Sequence, residues 1–148
     1  MNTSTKKLKG LKDYLIKFIK SQNMLVLSTC NNNIPRASSM DYYSDGIIIY
    51  VYPGQGQKIT NLKNNPVVSI SIFAPFDNKN VQGVQISSSN IQFIKKGDIG
   101  FEKAQSIYKW KNKEILLKII PEKIELIDYS LLDKGYSHKQ IWDTKYEK

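Results

Sequence analysis

Residues 54–71 read GQGQKITNLKNNPVVSIS. Gly54 and Gly56 let the backbone come close to a ligand. A short helix is predicted to follow them and to end before Pro66, because the residue before a proline avoids the helical region. The free N–H groups and the positive dipole end of this helix face the glycine loop. Lys58 at that end is unfavourable for the helix alone, and a bound phosphate would offset its charge.

The local pattern of this loop leaves two interpretations open. One is a phosphate site that includes Lys58, and the other is a plain glycine turn with an exposed lysine. The spacing differs from that of a Walker A loop, which needs Gly-x-x-x-x-Gly-Lys followed by Ser or Thr.

Around this loop the chain alternates short apolar runs with turn residues, which is typical of antiparallel β structure. An amphipathic helix is predicted over about residues 4–21. Strands are predicted over residues 24–30, 34–43, 47–52, 67–73, 84–94, 115–120 and 124–127, with a turn at 44–46 and a polar tail over about 130–148. The run 47–52 is continuously apolar and is therefore expected to be buried on both faces.

A further helix is predicted after Gly97, with Asp98 as its N-cap and with Phe101, Ala104 and Tyr108 on one face. The order of elements predicts a fold that is mainly β with flanking helices, in which an antiparallel sheet or barrel forms one domain over residues 1–148.

The chain is basic, with 22 Lys and Arg against 13 Asp and Glu and a formal net charge of +9. This surplus fits a nucleic acid, an anionic membrane, a phosphorylated ligand or merely a solvated lysine-rich surface. Arg36 is the only arginine. Because specific base readout favours arginine forks, and because the aromatic residues fall in apolar runs, no nucleic-acid partner is expected.

Few residues offer acid–base or metal chemistry. Cys30 and His138 are the only cysteine and the only histidine, so an intrachain disulfide, a multi-cysteine zinc site and a Ser-His-Asp triad are not expected. Residues 1–20 lack the continuous apolar segment of a signal peptide, and no apolar run reaches membrane-span length. We therefore expect a cytoplasmic protein without a membrane partner, and an enzyme of this kind would take its reactivity from a cofactor.

Seven stretches in a fixed order carry a resemblance to a known family. They are MLVLSTC (24–30), IPRASS (34–39), SDG (44–46), IIIYVY (47–52), the loop and helix of 54–71, VQGVQISSSNIQFI (81–94) and LLKIIPEKIELID (116–128). Together they resemble the FMN-binding split β-barrels of the pyridoxamine 5′-phosphate oxidase-like superfamily, in particular its small general stress protein and nitroreductase-like members.

The resemblance implies a homodimer with FMN at the subunit interface and a small-molecule substrate. It places Lys58 at the phosphate-binding lysine, with Gln57 where true oxidases carry arginine. The other cofactor-binding positions that it implies are Ser38, Ser39 and Met40 on the second strand, Val51 and Tyr52 on the third, and Gln82 near the flavin ring.

Two departures reduce the implied phosphate clamp. Ser38 stands in place of an arginine and Tyr43 in place of a lysine, so Lys58 is the clearest charge and Arg36 is a substitute candidate. The C-terminal tryptophan–glycine–arginine region of the true oxidases is also missing, and Trp142 lies in a tail of different character. Vitamin B6 oxidation is therefore not expected.

The leading hypothesis is an FMN-dependent oxidoreductase that acts on a small planar or aromatic substrate. Tyr108, Trp110 or Trp142 would line the open flavin face from the partner subunit, or else serve ordinary core or interface packing. The alternative is a non-catalytic split barrel that binds or senses a flavin, haem or deazaflavin. Haem is disfavoured because His138 is the only histidine that could act as an axial ligand.

Overall fold

The computed structural model of the protein describes residues 6–147. Its helices are α1 (Leu11–Ser21), α2 (Gln57–Asn64) and α3 (Phe101–Gln105), and 3-10 turns cover Tyr108–Trp110, Tyr129–Lys134 and Thr144–Glu147. Its strands are β1 (Met24–Asn31), β2 (Ile34–Asp41), β3 (Tyr43–Asp45), β4 (Ile48–Val51), β5 (Val68–Phe73), β6 (Gln82–Ser88), β7 (Ile91–Ile94), β8 (Leu116–Ile119), β9 (Lys123–Asp128) and β10 (Lys139–Asp143).

The strands form two antiparallel sheets. One sheet has six strands in the order β10-β9-β6-β5-β1-β2, and the other has four in the order β3-β4-β8-β7. The chain passes between the sheets at Tyr42, over residues 52–67 that include α2, at residues 89–90 and at residues 120–122. Since no strand pair joins the two sheets within residues 6–147, the barrel is split, as the sequence predicts.

The main core lies between the two sheets. Strands such as β1 alternate between buried and more exposed positions, so that Leu25 and Leu27 point inward. Leu15, Phe18 and Ile19 of α1 cover one end of this core. The helix thus has the covering role that its apolar spacing indicates, and each such buried side chain contributes about 1.5–3 kcal/mol.

A second, smaller core lies behind the four-stranded sheet. Tyr50 packs there with Phe101, Ala104 and Trp110, whereas Ile49 on the same strand belongs to the main core. Strand β4 is therefore buried on both faces, as predicted for the run 47–52.

Several predicted elements have different bounds. The strand predicted over 34–43 ends at Asp41, because the chain crosses to the other sheet at Tyr42, and strand β3 takes up most of the turn predicted at 44–46.

The helix predicted over residues 4–21 begins at Leu11, since Gly10 before it has a left-handed backbone with φ of 69°; residues 4 and 5 lie outside the described residues. The single strand predicted over 84–94 is two strands, because the chain leaves the six-stranded sheet after Ser88. The Ser88 hydroxyl donates to the carbonyl of Ile120 (2.5 Å) and so ties two of the crossings together.

The helix predicted after Gly97 is also shorter than its apolar spacing suggests. Gly100, not Asp98, precedes it, and the Asp98 carboxylate accepts a hydrogen bond from the Lys95 backbone instead. Because α3 ends at Gln105, Tyr108 does not share the buried face of Phe101 and is 89 % exposed.

The predicted tail over 130–148 contains an ordered strand. Strand β10 pairs with β9 along five residues, with Trp142 opposite Ile124. Trp142 is buried in the main core, while Ile141 points outward. The sequence of this strand, KQIWD, does not alternate polar and apolar residues, because Gln140 is buried and Ile141 is exposed, so no period-2 pattern indicates it.

A buried carboxylate joins α1 to the far end of the six-stranded sheet. Asp128 is fully buried and accepts hydrogen bonds from the Tyr14 hydroxyl, from Asn80 Nδ2 (3.0 Å), from Gln82 Nε2 (3.0 Å) and from the backbone N–H of Ser130 (3.0 Å). Burial alone would raise the pKa of Asp128, but the donors outweigh it and the pKa lies below its ordinary value. Burial and this acceptor raise the pKa of Tyr14 to about 12.

Replacing Asp128 with asparagine should lower the free energy of unfolding by about 2–3 kcal/mol, because an amide group then faces donors that need an acceptor. A carboxylate with a lowered folded-state pKa stabilises the fold fully above its unfolded value of 3.8 and loses that effect as the pH falls further. Urea unfolding at pH 7 and pH 3 checks both points: the variant should be less stable at pH 7 and show a smaller loss on acidification.

The matched control is Asp133→Asn, which changes an exposed carboxylate on the neighbouring 3-10 turn. Equal stability of D128N and D133N at pH 7 would contradict the role given to the buried carboxylate.

Among residues 6–147, no helix has the length and apolar content that a membrane span requires.

A cationic loop and helix start as the candidate functional site

The glycine loop places the start of α2 in open space. Gly54 has φ of 69° and Gly56 has φ of 114° with ψ of −149°, a combination that only glycine adopts readily. A Cβ at either position would meet no atom within 4 Å, so the backbone conformation and not crowding requires glycine. Within residues 6–147 no side chain caps this helix. The backbone N–H groups of Ile59 and Thr60 donate to the Gly56 carbonyl, so those of Gln57 and Lys58 are the ones that face a ligand.

Two buried polar side chains fix α2 to the six-stranded sheet. Gln57 Nε2 donates to Asn61 Oδ1 (2.9 Å), and Asn61 Nδ2 donates to Thr29 Oγ1 on β1 (3.1 Å). Asn61 and Thr29 are each only 3 % exposed. Thr29 is the register partner of Arg36 on β2. Since opposite residues of an antiparallel pair lie on the same face of a sheet, the side chain of Arg36 leaves the backbone on the face to which α2 is bonded.

Lys58 lies on the inward face of α2. It precedes the buried Asn61 and Leu62 by three and four residues, and such positions share one side of a helix. Lys58 is half-buried, and neither it nor Arg36 forms an ion pair in the part of the chain that the structure describes. Lys58 is therefore a cation without a carboxylate partner at the end of the glycine loop, and the exposed Arg36 is a second such cation on β2.

The predicted positions on β2 divide between its two faces. Ser38 is half-buried opposite Leu27, and Met40 is buried opposite Leu25, so both share the face of Arg36. Ser39 points to the other face of the sheet and is exposed. The structure thus aligns Arg36, Ser38 and Met40 along one inner face.

The two predicted positions near the end of β4 differ in what they can offer. Val51 is fully buried in the main core, so its side chain is not accessible to a ligand. Tyr52 is half-buried, and the Nζ atom of Lys113 lies 4.5 Å from its ring centroid. Tyr43, which replaces a lysine of the true oxidases, packs its ring 5.7 Å from that of Tyr50.

Gln82 is not brought to the start of α2. Its side chain donates to Asp128 and lines a small cavity beside α1 with Tyr14, Lys17 and Ser21. The hydrogen bond to Asp128 joins residues 46 positions apart, which no local sequence pattern indicates. Asn61 and Thr29 were missed for the same reason, although the Gln57–Asn61 spacing of one helical turn is visible in the sequence.

The aromatic candidates for a substrate face divide clearly. Trp110 and Trp142 are 1 % and 6 % exposed and serve packing within the chain, whereas Tyr108 points into solvent. His138 is half-buried and stacks on Tyr129 with ring centroids 4.7 Å apart. Cys30 is half-buried near the end of β1. Residues 6–147 contain no cluster of three or more His, Cys, Asp or Glu residues that would hold a metal ion.

Comparison with known protein families decides the assignment of this chain. Residues 11–128 match the family model described as pyridoxamine 5′-phosphate oxidase. The chain belongs to this family. The resemblance carried by the strand and loop stretches of the sequence is thereby confirmed.

Three individual similar proteins are each 28 % identical to this chain or less. The UPF0306 protein PM1958 of Pasteurella multocida (strain Pm70) is 28 % identical over 127 residues, which cover 79 % of this chain and 83 % of that protein. A FAD-binding protein from Mesorhizobium loti is 20 % identical with a TM-score of 0.63, over 79 % of this chain and 90 % of that one. A heme binding protein from Mycobacterium smegmatis is 14 % identical with a TM-score of 0.70, over 93 % of this chain but 60 % of that one. The two solved structures are similar in fold alone.

Replacing Asn61 with alanine should lower the free energy of unfolding by about 1–3 kcal/mol, because it removes two hydrogen bonds and leaves the buried Thr29 hydroxyl without its donor. Urea denaturation monitored by circular dichroism measures this loss. Asn64→Ala is the control, since Asn64 is an exposed asparagine at the end of the same helix. Identical midpoints for the two variants would show that the bridge does not hold α2.

Proposed function

We propose that this protein binds FMN and uses it as an oxidoreductase on a small planar or aromatic substrate. The observation that carries the proposal is Lys58 on the inner side of an uncapped helix start that follows two glycines, with Arg36 on the neighbouring strand in register with Thr29, the residue to which α2 is bonded. A phosphate monoester fits such a site, because it accepts hydrogen bonds from backbone N–H groups. Its negative charge also supplies the counter-charge that neither cation has within residues 6–147.

The residues present divide the work of holding FMN. Lys58, Arg36 and the first N–H groups of α2 would bind the phosphate, and the Asn61–Thr29 bridge would keep these groups in place. Ser38 on β2 would border the flavin ring together with Tyr52, whereas Met40, which is buried in the main core like Val51, would support this strand from the inside. The flavin supplies hydride transfer when it is bound, while the protein orients the ring and limits access of water to it.

The same residues argue against pyridoxamine phosphate oxidation. Ser38 and Tyr43 provide no charge where the true oxidases have arginine and lysine, and the C-terminal segment is used for β10 and core packing around Trp142. We therefore place the activity elsewhere in the family. A single half-buried cysteine fits a cytoplasmic protein, which we also propose.

The phosphate assignment predicts a difference between FMN and riboflavin. The wild type should bind FMN at least about tenfold more tightly, since a charge-assisted hydrogen bond contributes about 1.5–3 kcal/mol. Lys58→Ala should weaken FMN binding about tenfold or more and leave riboflavin binding unchanged. Quenching of flavin fluorescence during titration measures all four affinities.

Lys63→Ala is the control for this experiment, because Lys63 is an exposed lysine on the same helix and its removal changes the net charge equally. Equal affinity of the wild type for FMN and riboflavin would refute the phosphate site. No flavin binding at all would refute the proposed function and favour a barrel that binds another ligand.

We further propose that the protein is a homodimer with the cofactor at the interface. The outer face of the six-stranded sheet supports the dimer itself, because Ser28, Ser69 and Ser87 form one row across three central strands. The placement of the cofactor at the interface rests on the family resemblance alone, since the side chains assigned to FMN on β2 share the opposite, inner face of this sheet. Short side chains let a second sheet approach closely, and the exposed Phe73 and Ile141 on the same face offer apolar area to cover.

Ser69→Arg should disrupt the dimer, because a long charged side chain at the middle of this row prevents close packing of two sheets. Sedimentation velocity at micromolar concentration should show a dimer for the wild type and a monomer for the variant. Ser106→Arg, at an exposed position after α3, should remain dimeric. A monomeric wild type would contradict the proposal, and so would a dimeric Ser69→Arg.

A further inference from the structure

A second concavity lies on the side of α2 that faces away from β1. It has a volume of about 560 Å³ and is bordered by α2, by residues 52–55, by β7 and by residues 112–115. Its size falls within the range of about 300–1,000 Å³ that is usual for small-molecule sites. Ile59 and Lys63, one helical turn apart, line it, whereas Gln57 and Asn61 bridge to β1. This groove and the cationic helix start therefore use different faces of the same helix.

The floor of the groove is apolar and only partly covered. Phe93 on β7 is in register with Leu117 on β8, which in turn is in register with Val51 on β4. Leu117 and Val51 are fully buried, while Phe93 at the edge of the row is 39 % exposed. Ile115 beside it is 53 % exposed. An apolar ligand body placed here would cover surface that the chain itself leaves in water.

Two lysines stand at the walls of the groove. Lys63 projects from α2, and Lys113 projects from the segment before β8. Within residues 6–147 neither forms an ion pair, not even with Glu114, which also lines the groove. The groove thus combines an apolar floor with a net positive charge, which is complementary to an amphipathic anion.

The wall that carries Lys113 is held rigidly. The backbone N–H of Lys113 donates to the carbonyl of Trp110 (2.9 Å), and Gln105 Nε2 donates to the carbonyl of Lys113 (2.9 Å). Trp110 is buried and anchors the segment, and the ring of Tyr52 lies beneath the Lys113 ammonium group. A charge that is fixed before binding costs less entropy to use.

We propose that this groove binds an organic anion that joins one carboxylate or sulfonate to an aromatic body. Lys113 and Lys63 hold the acidic group, and Phe93, Ile59 and Ile115 cover the aromatic body. The groove is distinct from the proposed phosphate site, since neither Lys58 nor Arg36 lines it, although Tyr52 and Gly54 border both.

The test uses 2-naphthoate as the probe and 2-naphthamide as its uncharged match. Each is titrated into ¹⁵N-labelled full-length protein, and amide chemical shifts are followed. The naphthoate should shift the amides of Lys63, Phe93, Lys113 and Ile115 and should bind more tightly than the amide. Lys113→Met and Lys63→Met should each weaken naphthoate binding about fivefold, the upper range for a partly exposed ion pair, while Lys20→Met on α1 should not.

Three results would overturn the proposal. They are equal binding of naphthoate and naphthamide, shifts that fall outside the groove, and groove resonances that move with protein concentration alone, which would mean that a second copy of the chain covers it. FMN is titrated into separate samples of the same protein. Loss of FMN binding would thus be seen independently of naphthoate binding, and either proposal can fail while the other stands.

Discussion

The hydrogen bond between Asn61 and Thr29 is the contact on which the position of the candidate site at the start of α2 depends. Both side chains are almost fully buried, so each needs the other to avoid an unsatisfied polar group. A polar pair of this kind fixes one position and one rotation of the helix, whereas apolar packing alone would tolerate small shifts. The eight residues of α2 are too few to be stable without such docking.

Local sequence signals were sufficient to predict the elements that are delimited by glycine or proline or that consist of a continuous apolar run. The glycines before α2 and Pro66 after it indicated correctly where that helix begins and ends. The apolar run 47–52 predicted a strand that is buried on both faces. The sequence failed where the answer depends on distant partners. Strand β10 exists because β9 offers it an edge, and the break between β6 and β7 exists because the two sheets diverge at Ser88.

The candidate site shows the same division. Lys58 was recognisable because a lysine at a helix start is locally unfavourable, and α2 begins where the glycines place it. Arg36 joins it only through the pairing of β1 with β2, which aligns it with Thr29. Gln82, which the resemblance places near the flavin ring, donates to a buried carboxylate near α1. No local sequence pattern around Gln82 or Asp128 indicates that the two side chains form a hydrogen bond.

The position of α2 also relates the proposed phosphate site at Lys58 to the proposed groove at Lys63. One face of the helix carries Lys58 and the other carries Lys63, and the same Asn61–Thr29 bond sets the orientation of both. A ligand on either face would reduce the conformational entropy of this short helix, so a second ligand would lose less entropy on binding. With ligands at both proposed sites, coupling would follow from the shared support, without any contact between the ligands. Its strength is limited by the free energy that orders α2, which makes the bridge to β1 the element that sets it.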